Sequence, residues 1–418
     1  MEAGAEGKSR GVHYGWIIAI MSVVTVLGAL GFGRFGYTMI LPSMKEGLML
    51  SDAQAGDLAT GNMIGYLILA ITGGFLASRF GPRIIVTVFM FIISGSMLLT
   101  GMAPSFQVAL VGRTLTGFGS GGTNVPVMGL VPGWFAARRR GLATGIAVSG
   151  SSFGMLVTGY LVPAILGRYG ANGWRISWVC LAAGAFVIAI LCYVLLRNRP
   201  AEKGLLPVGA EEAAKANPGE ARSSSLQWGL IYKSAPVWHL ALIYILFGFS
   251  YIIYATFFAR YLIWEAGFTT AAAGALWSTV GALSIISGFI WGSVSDVLGR
   301  KYGLAIVYFL QFLCFTVFGL WKATPGYYLS GLLFALTAWS IPAIMAAAAG
   351  DLLGARLAPA ALGFLTLFFG IGQAAGPFVA GRIADAAGSY TMAFVIAGAA
   401  ALIGAVASLF LRPPKEVL

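Results

Sequence analysis

Charge is what this chain has least of. Of its 418 residues only 10% are charged and 59% are hydrophobic, and the mean hydropathy is +0.87. Soluble domains carry about a quarter charged residues, so a water-soluble globular fold is excluded. Acidic residues are the scarcer kind, Asp+Glu 14 against Lys+Arg 26, and none falls deep inside an apolar run. A carrier of cations needs an intramembrane carboxylate as partner, and this sequence does not offer one. Cysteine is nearly absent: Cys180, Cys192 and Cys314 lie inside apolar runs without metal-ligand spacing. That excludes a disulfide framework and a zinc site. His13 and His239 sit at the ends of apolar runs, where neither makes a proton relay. No Ser-His-Asp or phosphate-cradling pattern occurs, and Gly117-Phe-Gly119-Ser-Gly-Gly122 is helix-packing glycine within an apolar run. No enzyme activity, cofactor or metal is expected. The N-terminus shows no short apolar core followed by a small-residue cleavage site, so it reads as uncleaved.

What is present is apolar sequence in repeated runs. Twelve runs of bilayer-spanning character cover about 14–42, 54–78, 84–102, 106–133, 141–166, 174–196, 237–263, 271–295, 303–321, 327–350, 359–385 and 390–411. They predict an all-α membrane protein of twelve transmembrane helices. A polar stretch rich in Ala, Glu, Gly, Pro and Ser divides them six and six. The expected organisation is a bundle over 1–196, a cytoplasmic linker over 197–235, and a second bundle over 236–418. Leu226 to Tyr232 could form an interfacial helix. With both termini cytoplasmic, inner segments hold eighteen Lys and Arg and outer segments five. This bias accounts for the net charge of +12 without invoking nucleic acid. The chain is expected in a bacterial inner membrane as a monomer, with the lipid bilayer as its surroundings.

The two halves repeat. Gly74-Phe-Leu-Ala-Ser78-Arg-Phe-Gly81-Pro-Arg83 returns as Gly292-Ser-Val-Ser-Asp296-Val-Leu-Gly299-Arg-Lys301, an offset of 218. Gly31-Phe32 with Tyr37 returns as Gly248-Phe249 with Tyr254, and Gly141, Gly150, Gly154 and Gly159 return as Gly363, Gly372, Gly376 and Gly381. Repeated halves about an axis normal to the membrane are the build of one large class of secondary transporters. These residues resemble the major facilitator superfamily. The loop after span two is similar to its G-x-L-a-D-r-x-G-r-k motif, with Ser78 in the aspartate position, while the second copy keeps the acid as Asp296. Arg113-Thr-Leu-Thr-Gly117-Phe-Gly119 resembles the span-four arginine motif. Tyr14-Gly15-Trp16, Gly173-Trp174-Arg175 and Phe369-Gly-Ile-Gly-Gln373-Ala-Ala-Gly-Pro377 resemble the monocarboxylate porter and oxalate:formate exchanger branch. Gly33-Arg34-Phe35-Gly36-Tyr37 is also similar to the bacterial YbfB-like branch. The resemblance implies two pseudo-symmetric six-helix bundles around a central cavity, with spans 3, 6, 9 and 12 facing lipid. It also implies transport of small organic anions by proton symport or anion exchange. One departure from the carboxylate porters is that span eight, Ala271 to Ser295, contains no basic residue.

The residues that could carry substrate follow from depth and charge. Arg34 places a guanidinium inside span one among Gly31, Gly33 and Gly36. A charge there costs at least ~2.5 kcal/mol unless it faces protein or water. Its rigid fork matches a carboxylate, so it is the leading anion anchor; snorkelling is the plainer reading. Arg113 either joins the site or ties span four to neighbouring carbonyls, and Arg260 lies near the outer end of span seven. Tyr37, Tyr66, Asn124, Tyr251, Tyr254, Trp339 and Gln373 fall near the bilayer centre by counting, where each could line the path or simply bond between helices. Tyr251 takes in span seven the place of Arg34. At the inner side Asp296 is expected to meet the end of span five, where Arg138, Arg139 and Arg140 strengthen a helix N-terminus. The leading function is transport of small organic anions, monocarboxylates first. A drug or amphiphile exporter is the alternative, with a membrane receptor behind it.

Overall fold

The computed structural model describes residues 12–210 and 232–411. Among these, nine helices are long and apolar enough to cross a bilayer, or ten when the bent pair Thr270–Ser284 and Ser287–Leu298 is one span. Arg140–Leu195 contains two rods parted at Gly170–Asn172, and Phe106–Gly133 adds another, which gives the twelve expected. We number them α1 (Tyr14–Gly47), α2 (Asp52–Phe80), α3 (Pro82–Gly101), α4 (Phe106–Gly133), α5 (Arg140–Val148 continued by Gly150–Tyr169) and α6 (Gly173–Leu195). The second half comprises α7 (Ala235–Trp264), the bent α8 (Thr270–Leu298), α9 (Arg300–Leu320), α10 (Thr324–Gly354), α11 (Ala360–Ala387) and α12 (Thr391–Leu409).

Local chemistry sets the element ends. Ser51 caps α2, accepting from the Gln54 N–H at 3.1 Å while Gln54 returns a bond to the Ser51 N–H at 3.0 Å. The repeated motif closes on a glycine in each half: Gly81 (φ 85°) ends α2 and Gly299 (φ 90°) ends α8. Only glycine takes that backbone cheaply, and both times the next helix starts at the following residue. Exposed apolar side chains such as Phe91, Val187, Phe309 and Ile403 clothe α3, α6, α9 and α12 for lipid. Lipid supplies no hydrophobic drive between helices, so packing rests on small residues that let backbones touch. The glycine repeat does this: a Cβ on Gly150 would strike the Val23 carbonyl of α1, and one on its mate Gly372 would strike the Ile245 carbonyl of α7.

The halves meet away from the face that carries residues 12 and 411, here called the terminal face. Toward the far face, Gly56 of α2 lies on the Pro377 carbonyl of α11, and its repeat mate Gly274 of α8 lies on the Gly159 carbonyl of α5. On the terminal side a Cβ on Gly141, Gly145 or Gly292 would meet nothing within 4 Å. Among the described residues the contacts between the halves gather at the far face and at mid-depth, and the far face is closed. The start of the stretch read as a linker is not a loose tether. Val208 donates to the Trp134 carbonyl at 2.9 Å, and Asn198 Oδ1 accepts from the Arg83 N–H at 2.9 Å, which straps residues 197–210 to the first half. The interfacial helix expected from Leu226 lies outside the described residues up to residue 231.

Candidate functional site: a buried guanidinium between the halves

The site is built on a distortion in α1. Residues Leu27–Phe35 wind as a π-helix, a rare form concentrated at functional sites. Widened turns free carbonyls, and α4 takes them: Arg113 Nη1 donates to the Gly33 carbonyl at 2.6 Å and Ser120 Oγ to that of Ala29 at 2.6 Å. Across from α4, Gly31 and Gly154 pack backbone to backbone, leaving no room for a side chain between α1 and α5. Arg34 emerges from this stretch with 7% of its surface exposed. Its Nε and Nη2 are buried without a hydrogen-bond partner.

Four further candidates gather around it. The guanidinium lies over the Tyr66 ring, 4.6 Å from the centroid, where the face of the ring attracts a cation. Tyr66 accepts a hydrogen bond from Asn124 Nδ2 at 3.0 Å. The Tyr251 phenol is close enough to Arg34 to interact with it, and accepts from Gln373 Nε2 at 2.6 Å. Two amide–phenol couples, one on each half, thus flank a single cation. Among the described residues no carboxylate is bonded to it; the ion pairs lie at the two faces.

The other candidates lie elsewhere. Trp339 borders the site through Phe35, with ring centroids 5.9 Å apart, and donates from Nε1 to Ser152 Oγ at 2.8 Å. Arg113 is fully enclosed between Tyr37 and Trp178, 4.5 and 5.2 Å from their centroids, so in this state it shapes α1. Tyr37 donates to the Ala55 carbonyl at 2.8 Å and Tyr254 bonds Ser330 Oγ at 3.0 Å. Both are packing residues of their own halves here. Arg260 belongs to the far face, 3.6 Å from Asp52 and stacked on Trp264 at 4.4 Å. Asp296 does not meet the start of α5. It pairs with Arg300, which also donates to Asp351 at 2.6 Å. Arg138 is exposed, Arg139 lies beside Gly209, and Arg140 donates to the Phe135 carbonyl at 3.2 Å. A cavity of about 430 Å³ lined by Asp296, Arg300 and Asp351 opens at this terminal end, remote from Arg34.

Sequence reasoning missed the far-face latch. Asp385 of α11 accepts from the Asp52 and Ala53 N–H groups at 2.7 and 3.0 Å, capping α2 from the other half. Arg382 pairs with Asp57 at 2.8 Å, and Lys45 and Tyr390 both reach Asp52, at 2.5 and 2.8 Å. Nothing in a single sequence announces a partner 333 positions away.

A family described as "Uncharacterised MFS-type transporter YbfB" matches residues 26–409. The chain belongs to this YbfB-like family of major facilitator transporters. Among curated proteins it is 24% identical to the probable sulfoacetate transporter SauU of Cupriavidus necator, over 91% of this chain and 90% of that one. It is also 24% identical to the hexuronate transporter of Bacillus subtilis, over 91% of each. A solved bacterial homolog of the human lysosomal transporter Spinster superposes with TM-score 0.77 at 16% identity, covering 97% of both chains. The D-xylose–proton symporter does so at 0.71 and 18%, covering 96% of this chain and 99% of that one. These two show the fold. The YbfB-like match covers the Arg34 segment, both amide–phenol couples and the far-face latch.

Proposed function

We propose that this YbfB-like chain is a secondary transporter of small organic anions, monocarboxylates among them, working by alternating access. The observation that carries the reading is the free edge of Arg34. Nε and Nη2 lie on one side of a guanidinium, the side that holds both oxygens of a carboxylate in parallel. Such a buried donor pair is costly until an anion arrives, and in a water-poor site the bond is stronger than in water. The relatives agree in kind: the named cargoes include sulfoacetate, hexuronate and, for a protein of Agrobacterium vitis 24% identical to this chain, tartrate. The cationic anchor argues against the amphiphile exporter.

In this proposal the bundles on either side of residues 197–235 rock as units around Arg34, and the terminal face is cytoplasmic, as the Lys and Arg bias implies. When that face closes, Asp296 exchanges Arg300 for the start of α5 and acts as its gate. Uptake of radiolabelled glucuronate and lactate into proteoliposomes tests the reading. Uptake that rises with an inward pH gradient identifies proton symport, and uptake that needs a trapped anion identifies exchange. Equal flux in protein-free vesicles for every acid tried would end the proposal.

A further inference from the structure

An anion accounts for the donors of this site and leaves its acceptors unexplained. Asn124 Oδ1 and Gln373 Oε1 are both buried and neither has a hydrogen-bond partner. An ionised carboxylate only accepts, so it cannot satisfy them and is repelled by them. The two oxygens are also placed alike. Asn124 spends its N–H on Tyr66, whose ring carries the Arg34 guanidinium, and Gln373 spends its N–H on Tyr251, whose phenol neighbours the same group. Each free oxygen therefore stands one phenol away from the cation, one on either half of the molecule. An ammonium would meet these acceptors only against the charge of Arg34. A hydroxyl donates without adding positive charge.

We infer that Asn124 and Gln373 are specificity residues that accept hydrogen bonds from substrate hydroxyls, so that the site selects hydroxylated carboxylates over their deoxy analogues. The inference rests on the anion site proposed above. Its chemistry asks for hydroxyls flanking a carboxylate, as in 2-hydroxy and polyhydroxy acids. Discrimination of this kind is efficient because a ligand without the hydroxyl leaves buried groups unpaired.

Binding to the purified full-length chain tests it with two matched pairs, tartrate against succinate and gluconate against hexanoate. The hydroxylated member should bind at least about tenfold more tightly, the equivalent of one well-made hydrogen bond. Asn124→Leu and Gln373→Met replace each amide by an apolar group of similar size. Each should lower that ratio by about threefold or more, because the hydroxylated member loses most. The wild-type ratio is informative even if a variant folds poorly. A ratio near one, or a ratio that neither folded variant lowers, overturns the inference. If Arg34→Ala still weakens binding of both members about tenfold or more in that case, the anion site survives alone. If no member of either pair binds the wild type, the anion reading fails and hydroxyl selection with it.

Discussion

Arg34 does two jobs with one side chain: it is held by stacking on Tyr66, and it keeps Nε and Nη2 free. Removing it should cost at least one charged hydrogen bond. A bond to a charged group contributes about 1.5–3 kcal/mol, which predicts that Arg34→Ala weakens carboxylate binding roughly 10- to 100-fold while the protein still inserts. Arg34→Lys should recover only part of this, since an ammonium is a point charge and not a fork. Isothermal titration of both variants against wild type checks the order. Equal affinity in wild type and alanine variant would move the anchor elsewhere. Arg34 was legible in the sequence because a lone charge inside an apolar run stands out whatever the fold. Tyr37 and Tyr254 were not separable from Tyr66 and Tyr251, because counting residues gives depth in the bilayer but not direction around the helix. Their hydroxyls bond within their own halves.

At the scale of the element, the repeated glycines were legible as a repeat; Gly150, Gly154, Gly159 and their mates pack against neighbouring helices while Gly141 and Gly363 do not, and the π-helical turn did not show at all. Leu27 to Phe35 has nothing in its composition that forbids an ordinary helix; the winding is held by Arg113 and Ser120 on α4, a tertiary effect. The seam between α1 and α5 should then be intolerant of bulk. A Cβ on Gly154 would collide with the Gly31 backbone, which cannot move aside as a flexible side chain would. Gly154→Val is expected to destabilise by about 1–3 kcal/mol, read as a lower melting temperature in detergent together with weakened carboxylate binding. Gly167, also on α5, meets nothing within 4 Å, so Gly167→Ala should leave melting unchanged or slightly raised. Similar losses from both substitutions would show that the α1–α5 contact has no special role in placing Arg34.

For the whole molecule, the sequence repeat sufficed for an all-α membrane fold of the major facilitator kind. It could not supply which face the halves close, because that depends on helix ends meeting between residues far apart in the chain. The far-face latch is polar on one seam, where Asp385 caps α2 and Arg382 pairs with Asp57. These groups are exposed, so each bond contributes modestly, about 0.2–1 kcal/mol. Asp385→Asn should therefore open the far face up to about fivefold more often. A cysteine at Thr60, whose hydroxyl now donates to the Ala374 carbonyl of α11 at 3.0 Å, should label correspondingly faster from that side. Unchanged labelling would mean that the glycine seams alone hold the face shut. The latch also bears on how the protein would look to an enzymologist. If the empty carrier rests with one mouth shut, few copies can capture solute from that side, and apparent affinity there falls by the fraction that is ready. Half-saturation constants should then differ between right-side-out and inside-out vesicles, with the weaker value at the latched mouth. In Asp385→Asn the two constants should draw together, though not a single atom of the binding site has changed.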